Sequence, residues 1–247
     1  MKRYAGLAAI YDYLVGGVDF EGWIDYLESI MARFGYKAES VVDLACGTGN
    51  TTLPLARRGY RAFGVDIAGE MLAVAREKAA VGKLKVDFLC ADIRDFCLPH
   101  PVDLVTCFHD GLNYLTEYGD LVKTFHSAGE NLTAGGYFIF DLNAVRWLSG
   151  TKPEVTVVEE DALTLIWESA YNGDEDIWEV ILTGFAMEKE VELYRKFKEV
   201  HREKAYRPME VESALNTAGL KLLASYDAFT FEPIHEKSRR HFYVARK

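Results

Sequence analysis

The chain has 247 residues, 28 basic against 38 acidic side chains, 49% apolar residues and a formal net charge of −10. That length suits one large domain with its own core, or one domain carrying an elaborated insert. The acidic balance argues against a protein that grips nucleic-acid phosphates through a broad basic face, and the ordinary apolar and charged fractions exclude a disordered chain.

The start, Met1-Lys2-Arg3-Tyr4, is basic, but Asp12 and Asp19 interrupt the weak apolar run from Gly6 to Ile10, so neither a signal peptide nor a membrane span is expected. Residues 20–34 carry Phe20, Trp23, Ile24, Leu27, Ile30, Met31 and Phe34 at helical spacing and stop at Gly35. Val41 to Ala45 is a short apolar strand closed by a glycine turn, and a helical pattern follows from Asn50 to Arg58. The unit recurs with a strand at Arg61–Val65, a helix at Glu70–Ala80, and short strands at Lys85–Cys90 and Val102–Cys107. A helix from Glu117 to Leu132 then leads through two glycines into the strand Tyr137–Phe140. Strands alternating with helices of this length predict right-handed crossovers and a parallel sheet.

Beyond about residue 148 the pattern changes to long alternating stretches between Val155 and Lys204, with Asn172-Gly173 as a hairpin turn, which predicts an antiparallel meander of three or four strands. A helix is predicted from Pro208 to Ala218, then strands at Leu220–Phe229 and His241–Ala245. The predicted plan is one α/β domain: a helical cap over residues 1–40, a core over 41–148, a β insert over 150–206, and a last helix with two strands over 207–247. The four cysteines form no CxxC pair, which argues against a zinc site or a disulfide framework and suits a reducing, cytoplasmic setting.

The strongest chemical signal is Val41-Val42-Asp43-Leu44-Ala45-Cys46-Gly47-Thr48-Gly49-Asn50. A strand ending in a Gly-x-Gly turn that opens a helix brings bare backbone N–H groups against a ligand. Asp66 follows Gly47 by 19 residues at the tip of the next strand, where a carboxylate can accept from both hydroxyls of a ribose. Asp92 ends the third strand and can meet an exocyclic adenine amine. Asp43, within the first strand, either orients the loop or faces a cationic ligand. A dinucleotide fingerprint would want a third glycine where Thr52 stands, which weighs against a pyrophosphate-binding turn.

These residues resemble the class I S-adenosylmethionine-dependent methyltransferases. The resemblance rests on Val42–Gly49, Gly64-Val65-Asp66-Ile67 with Glu70-Met71-Leu72, Ala91–Arg94, Val102–Cys107 and Leu132–Gly136, in that order. It is similar in particular to bacterial small-molecule enzymes, amino-sugar N-methyltransferases among them, which also carry a Tyr-Asp pair near the N-terminus (here Tyr11-Asp12) and a β insert before the last helix. The resemblance implies a Rossmann-like, seven-stranded, mostly parallel sheet with an antiparallel insert, S-adenosyl-L-methionine as cofactor and a small-molecule methyl acceptor. It further implies that Ala45, Gly47 and Gly49 face the methionine part and Asp43 its ammonium through backbone or water. Asp66 would hold the ribose, Ile67 and Met71 would flank adenine, and Asp92 and Ile93 would meet the adenine edge. Phe108 would border the sulfonium, with Tyr4 or Tyr11 closing over it.

Candidates for a proton-transfer or positioning role are His109, Asp110 and Tyr114, just past the fourth strand, with His201 and Tyr206 approaching from the insert. His201, in the polar run Glu199–Glu203, reads as a solvated face. The acid/Asn-Pro-Pro-aromatic segment of amino-methylating DNA enzymes is replaced by Phe108-His109-Asp110-Gly111, and the paired carboxylates of metal-assisted O-methyltransferases are incomplete, so no metal is expected. Two rivals stay open: a nicotinamide-dependent oxidoreductase on a similar sheet, and a cofactor-binding module without catalysis. Trp167 and Trp178 are expected on the surface of the insert, where they leave a homodimer open.

Overall fold

The computed structural model describes residues 7, 8, 10–144, 152–188 and 193–247. A seven-stranded sheet is built from β1 (Ser40–Leu44), β2 (Arg61–Asp66), β3 (Val86–Cys90), β4 (Val102–Cys107), β5 (Leu132–Asn143), β10 (Lys221–Asp227) and β11 (Arg240–Arg246), in the order β10-β11-β5-β4-β1-β2-β3. Only β11 runs against its neighbours, pairing antiparallel with both β5 and β10. The sequence order reverses between β1 and β4, the switch point at which open α/β sheets bind ligands beyond the strands' carboxyl ends.

Both faces of the sheet are covered, which is why its central strands are apolar on successive residues. On one face Val41, Leu104, Ile139 and Phe242 pack with Trp23, Ile24, Leu27 and Ile30 of α2 (Phe20–Arg33). On the other, Val42, Val105, Phe138, Phe140 and Tyr243 pack with Leu121 and Phe125 of α5 (Tyr118–Asn131) and Val211 and Leu215 of α6 (Pro208–Thr217). α3 (Thr52–Arg57) and α4 (Gly69–Val81) follow β1 and β2, and a short helix α1 (Tyr11–Leu14) precedes α2.

Two boundaries differ from the periodicity. α3 begins at Thr52 rather than Asn50, because the hydroxyls of Thr51 and Thr52 turn back to Asp43 and hold the loop open for two further residues. The helix expected to run through Leu132 ends at Asn131. β5 starts at Leu132 and absorbs the glycine pair, with its pairing to β4 jumping from Val102↔Leu132 to Leu104↔Tyr137.

The insert is a second sheet, β6 (Glu154–Glu160), β7 (Leu163–Asn172), β8 (Ile177–Glu188) and β9 (Leu193–Lys204), antiparallel throughout and in sequence order. Its last strand is rooted in the core. The Asn113 side chain donates to the Lys204 carbonyl at 2.8 Å and accepts from the Asn143 backbone N–H at 3.1 Å, while buried Tyr206 donates its hydroxyl to the Leu115 carbonyl. β9 is thereby fixed over the ends of β4 and β5.

Candidate active site

Asp43 is fully buried and accepts hydrogen bonds from three hydroxyls, Thr51 and Thr52 at 2.6 Å each and Thr106 at 2.9 Å. Burial drives its carboxyl upward and the three hydroxyls counter this. Its side chain is therefore occupied with shaping the loop after β1. That loop carries φ of +52° at Ala45, +53° at Gly47 and +81° at Gly49, a left-handed succession that glycine adopts without a Cβ penalty.

Asp66, at the tip of β2, holds the same loop from the other side, accepting from the backbone N–H of Gly47 and of Ala68 at 2.8 Å each. It is only 8% exposed, and burial moves its carboxyl above the usual range. Each of its oxygens has a second lone pair, so the carboxylate can serve a vicinal diol without releasing the loop. A Cβ built on Gly47 would meet no atom within 4 Å, so open space lies over the turn. A cradle of turn amides beside an acidic strand tip fits an adenosyl cofactor.

The N-terminal segment is clamped onto this cradle. Asp12 accepts from the Thr48 hydroxyl at 2.6 Å and the Asn50 amide at 2.9 Å, and pairs with Lys78 at 2.7 Å. Burial opposes ionisation of Asp12, but the bonds from Lys78, Thr48 and Asn50 prevail and hold its carboxyl low. The clamp sets Tyr11 beside Ala8, Ala68 and Met71. Burial, then the nearby carboxylates of Asp110 and Asp66, raise its phenol, so it stays neutral. Tyr4 lies outside the described residues.

The remaining cofactor candidates separate by exposure. Ile67 is 62% exposed beside Asp66, whereas Met71 and Ile93 are buried. Asp92 is held by Arg94, through Nε at 2.9 Å and a terminal nitrogen at 2.6 Å, which lowers its carboxyl. Phe108 departs from its expected place. It is 3% exposed and packs against Trp23 and Phe242 on the α2 face, with ring centroids 5.8 and 5.6 Å away. The alternation from Leu104 through Thr106 puts it there, so its ring belongs to the core.

His109 and Asp110 follow with φ of +60° and +74°, two successive non-glycine residues in a left-handed conformation that stores strain. The loop is pinned from below, since the His109 backbone N–H donates to buried Asp141 at 2.8 Å. At Gly111 the chain passes so close to β1 that a Cβ would lie 2.8 Å from that of Ala45. The His109 ring points toward α2, 5.4 Å from Phe20 and 5.8 Å from Trp23, and burial depresses its basicity. Asp110 pairs with Arg240 at 2.6 Å, and the same guanidinium binds Asp141 and lies 5.3 Å from the Trp23 ring centroid. Burial first, and then the Asp110 charge against the opposing pull of Arg240, leaves Asp141 at about 6.

The insert supplies side chains that the sequence pattern misassigns. Glu199, His201 and Glu203 are buried, at 5%, 7% and 5% exposure, while Val200 between them is 41% exposed. The run read as a solvated face is instead the inner face of β9. Tyr114 meets His201 at 3.2 Å, and Glu199 accepts from the Leu7 backbone N–H at 3.1 Å. Glu203 accepts from the Asn143 amide at 3.4 Å; burial, then Asp110, push its carboxyl up to about 8. Glu203 and Arg240 were not picked out from sequence, Asp12 entered only as half of the Tyr11-Asp12 pair, and Asp141 only as a member of an incomplete set of metal-binding carboxylates. The inversion at 199–203, charges in and valine out, is the signal that could have found Glu203. Trp167 and Trp178, expected at the surface, are partly buried, Trp167 against the Leu163, Leu165 and Leu182 cluster. Among the described residues no helix is long and apolar enough to cross a membrane.

Comparison with known proteins agrees with this geometry. Residues 41–136, the span from β1 into β5, match the family model described as a methyltransferase domain. A crystal structure of an S-adenosylmethionine-dependent methyltransferase from Clostridium acetobutylicum ATCC 824 superposes with a TM-score of 0.86 at 30% identity, over 98% of each chain. With a sheet that switches direction beside a glycine cradle, and with this full-length likeness, the chain belongs to the S-adenosylmethionine-dependent methyltransferases. YqeM of Bacillus subtilis (strain 168), itself named a methyltransferase only provisionally, is 29% identical over 99% of this chain and 97% of its own length. The dTDP-3-amino-3,4,6-trideoxy-alpha-D-glucopyranose N,N-dimethyltransferase of Streptomyces venezuelae is 26% identical over 87% of this chain and 90% of its own. The nicotinamide rival falls with this assignment.

Proposed function

We propose that this methyltransferase acts on the amino nitrogen of a small polar molecule. The observation that carries this reading is a buried cluster at the ends of β4 and β5: Asp110 and Asp141 share a single guanidinium, Arg240, and Glu203 lies beside it, held by the side chain of Asn143, the register partner of Arg240. Carboxylates in excess of cations favour a ligand that brings positive charge of its own. The dTDP-amino-sugar N,N-dimethyltransferase among the relatives has an acceptor of that kind in its name.

When bound, S-adenosylmethionine supplies a methyl group on a positively charged sulfur, open to direct displacement by a nucleophile. The chain's part is to hold and to exclude. Asp66 takes the ribose hydroxyls, Gly47 and Gly49 the methionine end, Ile67 and Met71 the adenine faces, and Asp92 with Ile93 the adenine edge. Asp43 keeps the turn in shape, and Tyr11, carried by the Asp12 clamp, covers the cleft. Fixing two reactants in a near-attack arrangement removes about 7–11 kcal/mol from a barrier in model systems. The unpaired cysteines support a reducing, cytoplasmic setting.

The test is an acceptor screen read as S-adenosylhomocysteine formation, with primary amines, nucleotide-linked amino sugars among them, set against matched alcohols and phenols. Turnover confined to amines is expected. Turnover confined to alcohols or phenols overturns the reading. Tight cofactor binding with no turnover across both sets favours a binding module.

A further inference from the structure

Glu203 has no ion-pair partner among the described residues, although it is buried beside the Asp110–Arg240–Asp141 cluster. Asn143 of β5 donates to it at 3.4 Å, and the charged and titratable groups that act on it come from each neighbouring element: Tyr11 of α1, Asp110 after β4, Asp141 of β5 and Arg240 of β11. On its own inner face lie His201 and Glu199, and Trp178 of β8 stands opposite it in register. Arg240 spends its guanidinium on Asp110 and Asp141, leaving three carboxyls against one cation. If all three were ionised, a buried cluster would hold an uncompensated excess of negative charge, which proteins relieve by keeping a proton. Glu203 is the carboxyl that keeps it, since Asp110 and Asp141 each hold the guanidinium whereas Glu203 is buried with the neutral Asn143 amide at 3.4 Å against it.

The other titratable candidates are otherwise engaged. Asp110 and Asp141 are tied to Arg240, the His109 ring faces α2, and Tyr11 stays a neutral phenol. Tyr114 and His201 meet each other at 3.2 Å with Glu199 3.4 Å from the far ring nitrogen, and Tyr206 donates to the Leu115 carbonyl. We propose that Glu203 is the proton acceptor of the reaction: an ammonium seated against Glu203 and Asp110 displaces the proton Glu203 carries in the free protein, and the carboxylate so formed takes a proton from that ammonium. One N–H bond breaks and its electron pair stays on nitrogen as the nucleophilic lone pair; one O–H bond forms on Glu203, and nothing is oxidised or reduced. The displaced proton goes to solvent. This assignment rests on the amine reading above. It gives the insert a chemical role, because its last strand brings the base to the acceptor.

The experiment is a carbon-13 NMR pH titration of protein labelled at the glutamate side-chain carboxyl and saturated with S-adenosylhomocysteine, in sodium chloride and then in methylammonium chloride at equal concentration. The Glu203 resonance is the one lost in Glu203→Gln, and Glu203→Asp serves if that variant fails to fold. The expected midpoint is near 8 in sodium chloride and about one pH unit lower with methylammonium, a tenfold loss of proton affinity. A midpoint in the ordinary carboxylate range, or one that methylammonium does not move, overturns the proposal. In the acceptor screen, kcat/KM for an amine should rise with pH through the Glu203 midpoint, and Glu203→Gln should remove that rise without altering S-adenosylhomocysteine affinity. Failure of every amine in the screen sinks the functional reading and leaves the titration result in place. Amine turnover with a pH profile unchanged by Glu203→Gln sinks the role of Glu203 and leaves the functional reading.

Discussion

The glycine cradle and the insert meet over the same cleft but are built in opposite ways. In the cradle, the groups that set the geometry come from a short stretch of chain: Asp43 with Thr51 and Thr52, and Asp66 with Gly47 and Ala68. Each polar atom finds its partner within a turn or across neighbouring parallel strands. Beneath the insert, Asp110, Asp141, Glu203 and Arg240 come from four separate elements, and their charges do not balance. The cradle is satisfied before any ligand arrives, and its polar groups stabilise the fold. The insert side keeps an excess of carboxylate over cation that no group within the fold balances, and its polar groups are the ones we propose for the acceptor.

That contrast can be broken by substitution, beginning where the largest effect is expected. Asp43→Ala removes the acceptor from three buried hydroxyls, each of which costs about 1–3 kcal/mol when left unpaired, so unfolding free energy should fall by about 3 kcal/mol or more in a urea titration. A loss no larger than that of a surface substitution would show that the cradle does not depend on Asp43. Asp66→Ala should weaken S-adenosylhomocysteine binding by about 1–3 kcal/mol in a calorimetric titration, through the lost diol acceptor and the loosened Gly47. Unchanged affinity would move the ribose elsewhere.

Glu203→Gln should act in the reverse direction from Asp43→Ala. The folded-state carboxyl is raised from 4.5 to about 8, so between those values the folded protein holds a proton that the unfolded chain has released. Stability therefore falls as pH rises through that window and levels off above it. Glutamine keeps the shape and has no proton to lose, so above the window Glu203→Gln should be more stable than the parent by up to about 5 kcal/mol, and near pH 4.5 the two should match. Denaturant midpoints at several pH values check this. A Glu203→Gln protein less stable at high pH would mean that the carboxylate is compensated in the fold.

The same contrast explains what was legible in the sequence. Asp43, Gly47, Gly49, Asp66 and Asp92 could be named because each lies at or just beyond a strand end whose position follows from apolar runs nearby. The order of the elements gave the parallel sheet and the antiparallel insert for the same reason. Phe108 was misplaced although the evidence was local: counting by twos from Leu104 puts it on the α2 face. Arg240 was not legible, because in Ser238-Arg239-Arg240 it looks like any surface cation until β11 carries it to Asp110 and Asp141. Glu199, His201 and Glu203 were misread because alternation shows that a strand has two faces and not which one is covered. A strand whose covered face is charged defeats the rule that apolar residues point inward.

That last point yields the smallest expected effect, and it tests how β9 faces. Val200 is 41% exposed, whereas Glu199 and His201 on either side are buried. In an ordinary two-faced strand a valine flanked by charged residues would be the core residue, and Val200→Thr would place a hydroxyl in the interior and cost well over 1 kcal/mol. With β9 facing as described, the new hydroxyl points to water, threonine keeps the β-branched shape that strands favour, and stability should stay within about 0.5 kcal/mol of the parent. Thermal and urea unfolding of this variant therefore decide the orientation of this strand without reference to catalysis. A loss of more than about 1 kcal/mol would turn β9 over, expose Glu203 to solvent, and remove it from the cluster around Arg240.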